Sequence, residues 1–164
     1  MQLSIGVEYA LHCLIHMVEL PAGKSVAVKD IATYQGVSET YLSKIYTKLR
    51  KSGIVKSIPG VKGGYALARS PENITFWDVV EAVEGSSSLF RCAEIRRKEL
   101  LLDKNNLPDA YTKCPCLIKT VMDEAEERMR RYLREKTVFW LCESVNSKVP
   151  PEIKKATNDW FNGI

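Results

Sequence analysis

Three cysteines, Cys92, Cys114 and Cys116, fall within one irregular stretch of this chain of 164 residues. The total of 5 cysteines is odd and unevenly spaced, which argues against the disulfide framework of a secreted domain. In a reducing compartment such thiols serve as packing residues, metal ligands or redox centres. Cys13, on an apolar helix, and Cys142, beside Leu141, read as packing residues. His12 and His16 lie one helical turn apart and are the only histidines. Such a pair can bind zinc, but no Glu stands at the offset a hydrolase motif needs. Contact with solvent or with a partner helix is the plainer reading. There is no Ser-His-acid order, no Gly-rich phosphate loop and no paired carboxylate setting, so the chain does not read as an enzyme.

A second group of chemically able side chains lies between Val28 and Arg69. Ser38 occupies a helix N-cap position, where its oxygen can accept an orphan backbone N–H. Glu39 follows in the first turn, where the helix dipole favours negative charge. Leu42, Ile45, Tyr46 and Leu49 then recur at helical spacing as one apolar stripe. Thr40, Lys44, Thr47 and Lys51 form the opposite, polar stripe. Gly53 ends this helix. Upstream, a shorter helix near Lys29 to Gln35 carries Ile31 and Ala32 inward and closes at Gly36-Val37. Downstream, the runs Ile54 to Ile58 and Tyr65 to Ala68 flank the tip Pro59-Gly60-Val61-Lys62-Gly63-Gly64, a hairpin. The pattern is a helix-turn-helix followed by a wing. From Thr40 to Arg69 the charged residues are Lys44, Lys48, Arg50, Lys51, Lys56, Lys62 and Arg69, with no acid among them. A one-signed run on an exposed helix and hairpin is the footprint of phosphate contact. The acid-free run also argues against a winged helix used only for protein contacts, the other non-catalytic use of this fold.

The elements that must position these groups follow from periodicity. Leu3, Val7, Ala10, Leu11, Leu14 and Val18 predict a first helix over residues 3–20, ended by Pro21-Ala22-Gly23. Thr75 and Asp78 predict a capped helix to Gly85, with Phe76, Val79, Val80 and Val83 buried. Ser86-Ser87-Ser88 reads as a linker, and 89–116 as the least regular stretch. From Leu117 a helical pattern persists for about 30 residues, roughly 45 Å, with Ile118, Met122, Ala125, Met129, Leu133 and Trp140 on one side. So long a stripe needs a partner, and a second copy is the simplest. Val149-Pro150-Pro151 stops the pattern before a short docking helix containing Ile153, Ala156, Trp160 and Phe161. The expected fold is mostly α with a small two-stranded β wing. Its parts are a winged helix-turn-helix DNA-binding domain over 1–85, a cysteine-containing sensor loop over 86–116, and a dimerisation helix with its docking helix over 117–164. Hydrophobic content of 45 %, charged content of 27 % and a net charge of +4 suit a soluble globular protein. No window approaches a membrane span or a signal peptide, so the expected setting is cytoplasmic.

These residues resemble the Rrf family of bacterial winged-helix transcriptional regulators, which includes IscR, NsrR and CymR, over essentially the whole chain. The resemblance is carried by Met1-Gln2-Leu3-Ser4, by Ser38-Glu39-Thr40-Tyr41-Leu42, by Leu49-Arg50-Lys51-Ser52-Gly53-Ile54-Val55 and by Gly60-Val61-Lys62-Gly63-Gly64-Tyr65. It implies a homodimeric regulator, a repressor in this reading, on a palindromic operator in double-stranded DNA. Recognition helices would enter the major groove and wing tips the minor groove. The family's base-contacting positions correspond to Ser38, Thr40, Tyr41 and Ser43, with Lys44, Lys48, Arg50, Lys51, Lys62 and Gly63 along the same surface. IscR-like members carry an Arg in the wing turn where Pro59 stands, so Lys62 would supply the minor-groove cation and the sequence preference would differ. The resemblance further implies an iron–sulfur cluster, 2Fe–2S or 4Fe–4S, on Cys92, Cys114 and Cys116. Glu8 corresponds to an acid that completes the cluster from the partner subunit in the nitric-oxide-sensing branch. The cysteine spacing departs from the family's, because a long insertion separates Cys92 from the tight Cys114-Pro115-Cys116. A cluster-free thiol switch is the alternative that the same cysteines allow.

Overall fold

Val7, Ala10 and Leu14 give the first helix, α1 (Ile5–Val18), its buried stripe. The computed structural model describes residues 3–21, 23–60, 63–86 and 88–164. α1 is buried more broadly than its spacing predicts, since Cys13, Ile15 and Met17 are covered too. The reason is that it packs on several elements of the domain rather than on one. α2 (Val28–Gln35) ends at Gly36, whose φ of 66° is left-handed and whose N–H closes on Ala32 and Thr33. α3 (Glu39–Lys51) follows after the turn and buries Leu42, Ile45, Tyr46 and Leu49. Tyr46 is fully buried, and its hydroxyl donates to Met17 Sδ at 3.3 Å. Leu49 and Leu14 have no exposed surface, and truncating either to Ala would cost about 2–5 kcal/mol.

The wing pairs β1 (Val55–Ile58) antiparallel with β2 (Gly64–Leu67), Val55 opposite Leu67 and Ile58 opposite Gly64. Val26 adds an isolated bridge to β2: its N–H donates to Tyr65 O at 3.0 Å, and Tyr65 N–H to Val26 O at 2.8 Å. Gly64 is required by this approach, since a Cβ there would lie 2.3 Å from Val26 O.

α4 (Phe76–Glu84) begins with a complete capping box: Thr75 Oγ1 accepts from Asp78 N–H, and Asp78 from Thr75 N–H. Its buried residues are Trp77, Val79, Val80 and Val83. Phe76, placed in the buried stripe by spacing, is only half-buried.

Contacts divide the chain into two units. Described residues up to Ser86 join Leu133–Ile164 in one, and those from Ser88 to Tyr132 form the other. The helix expected from Leu117 through residue 146 is two helices, α6 (Leu117–Glu135) and α7 (Val138–Asn146). Numbered between α4 and α6, α5 is the short Asp109–Thr112. Thr137 makes the break. Its backbone is extended and its hydroxyl caps α7 by accepting from Trp140 N–H at 3.0 Å. The neighbouring peptides pair with the start of α4, Phe76 N–H to Lys136 O and Val138 N–H to Ile74 O, both 2.8 Å. α7 lies along α1. α8 (Pro151–Asn162) buries Phe161, whose ring stacks on His16 with centroids 5.0 Å apart. Tyr34 and Thr157 share a hydroxyl hydrogen bond of 2.7 Å.

In the second unit a 3-10 turn (Ile95–Lys98) and α5 precede α6. Among the described residues of α6, Glu126 alone is buried. Leu117, Ile118, Val121 and Met122 are between 40 % and 79 % exposed. No described helix is long and apolar enough to cross a membrane.

Candidate nucleic-acid interface and cysteine segment

Burying one stripe of α3 forces the other outward. Thr40, Ser43, Lys44, Thr47, Lys48, Arg50 and Lys51 are all exposed. Ser38 caps the helix, accepting from Tyr41 N–H at 3.4 Å. Thr40, Ser43, Lys44 and Thr47 line a shallow groove of about 390 Å³ together with Glu39. The acid-free run counted from Thr40 thus has a carboxylate at its edge. Three residues of the run point elsewhere. Tyr41 is half-buried, edge-on to Tyr9 at 5.8 Å. Its hydroxyl lies 3.1 Å from where a Cβ on Gly6 would stand, so α1 and α3 meet there through glycine. Lys48 Nζ donates to Val83 O at 2.6 Å in the last turn of α4, where a cation is favoured by the helix dipole. Farther along, Arg69 pairs with Asp78 at 3.4 Å. At the wing tip, Gly63 N–H donates to Gly60 O at 2.9 Å, and a Cβ on Gly63 would meet Ile58 O at 2.3 Å. Lys62 lies outside the described residues.

Cys92, Cys114 and Cys116 all belong to the second unit. Cys116 immediately precedes α6, and its carbonyl accepts from Thr120 N–H at 2.9 Å. Its thiol sits lower than an ordinary cysteine: the Lys119 N–H stabilises the thiolate most, against partial desolvation, aided by Ile118 N–H, the Cys92 thiol and Arg96. The Cys92 sulfur accepts from Glu94 N–H at 3.4 Å. Arg96 binds the two ends of the segment together. It donates to Glu94 Oε2 at 3.0 Å, to Ala110 O at 3.1 Å and to Cys114 O at 2.6 Å. The Cys114 thiol is exposed. Glu126 accepts from Ser88 Oγ at 3.1 Å and Leu89 N–H at 3.0 Å, and pairs with Arg130.

As folded, the three thiols do not make a ready cluster site: Cys114 is exposed, and among the described residues no three His, Cys, Asp or Glu side chains converge as metal ligands. Glu8 is exposed on α1 at the rim of an apolar cavity of about 640 Å³ lined by Leu11, Ile15, Phe76, Leu141 and Val145. Cys13 and Cys142 are buried, and burial raises their thiols to about 12 and about 11. Both are packing residues. Sequence reasoning did not single out Arg96 or Glu126; only their partners in the fold distinguish them.

A capped, cationic second helix with a wing behind it defines the winged helix-turn-helix class of transcription regulators. Comparisons with known proteins agree. The Rrf2 family, described as "Iron-dependent Transcriptional regulator", matches residues 3–144. The chain is 33 % identical over 138 residues to protein rrf2 of Nitratidesulfovibrio vulgaris, covering 84 % of this chain and 85 % of that one. It is 33 % identical over 143 residues to the HTH-type transcriptional regulator NsrR of Geobacillus kaustophilus, covering 87 % and 90 %. Among solved structures, CymR, the global cysteine regulator of B. subtilis, superposes with a TM-score of 0.62 at 26 % identity, covering 88 % of this chain and 98 % of that one. The chain belongs to the Rrf2 family of transcriptional regulators.

Proposed function

We propose that this protein is a homodimeric repressor that grips a palindromic operator and whose hold on DNA answers to the chemistry of its cysteine segment. The observation that carries the DNA part is the outward stripe of α3, where hydroxyls and Lys44 share one open groove. Short hydroxyl side chains at a helix N-terminus can reach base edges and phosphates closely. Ser38, Thr40 and Ser43 would supply those contacts, with Lys44, Arg50 and Lys51 on the backbone and the wing residues Lys62 and Gly63 at the minor groove. Lys48 and Tyr41 would instead hold α3 in place. A DNA-bound regulator of this kind works in the cytoplasm. For the partner, α6 offers the exposed apolar residues Leu117, Ile118, Val121 and Met122 to a second copy of itself.

Gel shifts against operators selected from random duplexes, run at two salt concentrations, test this reading. Specific binding should weaken as salt rises, and Lys44→Ala should reduce the salt slope by about 1. Binding that ignores salt, or an unaltered K44A, would remove the proposed face.

The family's description as iron-dependent supports an iron–sulfur cluster on Cys92, Cys114 and Cys116, with Glu8 of a partner subunit as a fourth ligand. Among the described residues the donors as folded do not assemble that set, which keeps control by thiol chemistry at the same cysteines as the second reading. Iron and sulfide analysis after anaerobic purification separates the two.

A further inference from the structure

The C-terminal helix α8 is seated against α1 and α2 through its side chains. It lies wholly beyond residue 144, where the match to the family ends. Among the described residues, no backbone-to-backbone hydrogen bond joins it to another element. Phe161 alone of its described residues is buried. The Phe161 ring stacks on His16 of α1 and tilts against Tyr34 of α2, with centroids 5.0 Å and 4.9 Å apart. Trp160 completes the cluster, 5.2 Å from Tyr34 and 4.9 Å from Phe161. The Thr157 hydroxyl donates to Ile153 O at 2.9 Å, which leaves its oxygen to accept from the Tyr34 hydroxyl at 2.7 Å. Lys154 pairs with Glu19 at 3.8 Å, and Lys24 Nζ donates to Asn162 O at 3.3 Å. What α8 grips is the end of α2 that leads into the recognition helix. Tyr34 and Gln35 are the last two residues of α2, and Gln35 Nε2 is bonded to His16 Nε2 at 2.7 Å. Directly after them Gly36 turns the chain, Val37 N–H closes on Ala32 O at 3.0 Å, and Ser38 caps α3.

We propose that α8 is a brace on the helix-turn-helix, and that Tyr34 is the positioning residue through which it fixes the N-terminus of α3 for base contact. The last turn of α2 is held on two sides, by His16 on Gln35 and by α8 on Tyr34. The short turn that follows passes this placement on to Ser38, Thr40 and Ser43. Side chains that read base edges must stand at hydrogen-bond distance, so they depend on the elements that support them. Cations on phosphates tolerate a shift and attract every duplex alike. Releasing α8 removes one of the two holds, and the loss falls on sequence-specific binding. An element seated by a few rings at the end of the chain can open locally while the rest of the domain stays folded.

The inference rests on the DNA-binding reading, and its test is read both without DNA and with it. Full-length protein carrying fluorotryptophan reports the seat of α8 through the Trp160 fluorine resonance, assigned by its loss in Trp160→Phe. Phe161→Ala should move that resonance toward its unfolded position. The same variant should raise amide exchange about 10-fold along α8 and at Tyr34 and Gln35, with exchange in α4 unchanged. Its affinity for a selected operator should fall about 10-fold, while affinity for a random duplex and its salt slope hold. Phe161→Leu, which keeps apolar volume under α8, should recover most of the operator affinity. Should Phe161→Ala fail to fold, Thr157→Val and Tyr34→Phe each remove only the shared hydrogen bond, and each should weaken operator binding about 3-fold. The double variant should lose no more than either single one. A native Trp160 resonance in a folded F161A would overturn the aromatic seat. Native exchange at Tyr34 and Gln35 once α8 is released, equal losses on operator and random duplex, or additive losses in the double variant would overturn the brace. Failure of the DNA-binding reading looks different: wild-type protein that binds no duplex, whatever exchange shows at the end of α2.

Discussion

His16 forms a three-ring cluster with Tyr34 and Phe161, at centroid distances of 4.8 Å and 5.0 Å, and its Nε2 bonds Gln35 at 2.7 Å. Burial there lowers its pKa to about 4, against the opposing pull of Glu19. Between about 6.5, its ordinary value, and 4 the unfolded chain takes up a proton that the folded chain refuses. Stability should therefore fall as pH drops through that window, and gain nothing further above it. Urea midpoints at pH 7 and pH 4.5 test this. His16→Phe, which keeps the ring stack, should lose less between the two than wild type; equal losses would mean other groups set the acid limb. The pair His12 and His16 raised the question of zinc from sequence, and neighbours answer it: His16 is committed to an aromatic cluster. No spacing rule could have found Tyr34, Gln35 and Phe161 around it.

At the scale of elements, α3 was the most legible part of the chain. Its cap, stripe and end are local features, set by a Ser before the first turn, a helical period and a Gly after the last. What the period could not resolve is where each exposed cation goes. Lys44 and Lys48 are alike in sequence, yet Lys48 reaches the C-terminal turn of α4. Lys48→Ala should thus lower stability by about 1 kcal/mol through loss of that charged hydrogen bond, with little change in the salt slope of DNA binding. Thermal melts and gel shifts of the same variant check both halves. A lost slope with unchanged melting would return Lys48 to the DNA face. The break at Thr137 was hidden for a similar reason. Lys136 and Thr137 do not forbid a helix, and it is their hydrogen bonds to Ile74 and Phe76, far away in sequence, that turn the chain.

At the scale of the whole molecule, the apolar side of α6 stands open. Leu117 is 79 % and Ile118 66 % exposed, and each such side chain would gain about 1.5–3 kcal/mol if fully buried. Homodimerisation through this face predicts that Val121→Glu with Met122→Glu sediments as a single chain and loses operator affinity. Lys44→Ala should remain a dimer while binding DNA more weakly. A wild-type protein that sediments as one chain would remove the dimer, and with it the palindromic operator.

The amino-acid sequence by itself determined the winged helix-turn-helix, its capped helices, the outward polar stripe of α3 and the family, because these rest on local periodicity and short motifs. Only the tertiary structure decided that Phe76 yields to Trp77 in the core, that the long helix breaks at Thr137, and that Arg96 ties Glu94 to Cys114 O while the Cys114 residue stays exposed. Those outcomes depend on which distant groups satisfy a backbone amide or bury a side chain, and distance along the chain carries no record of that.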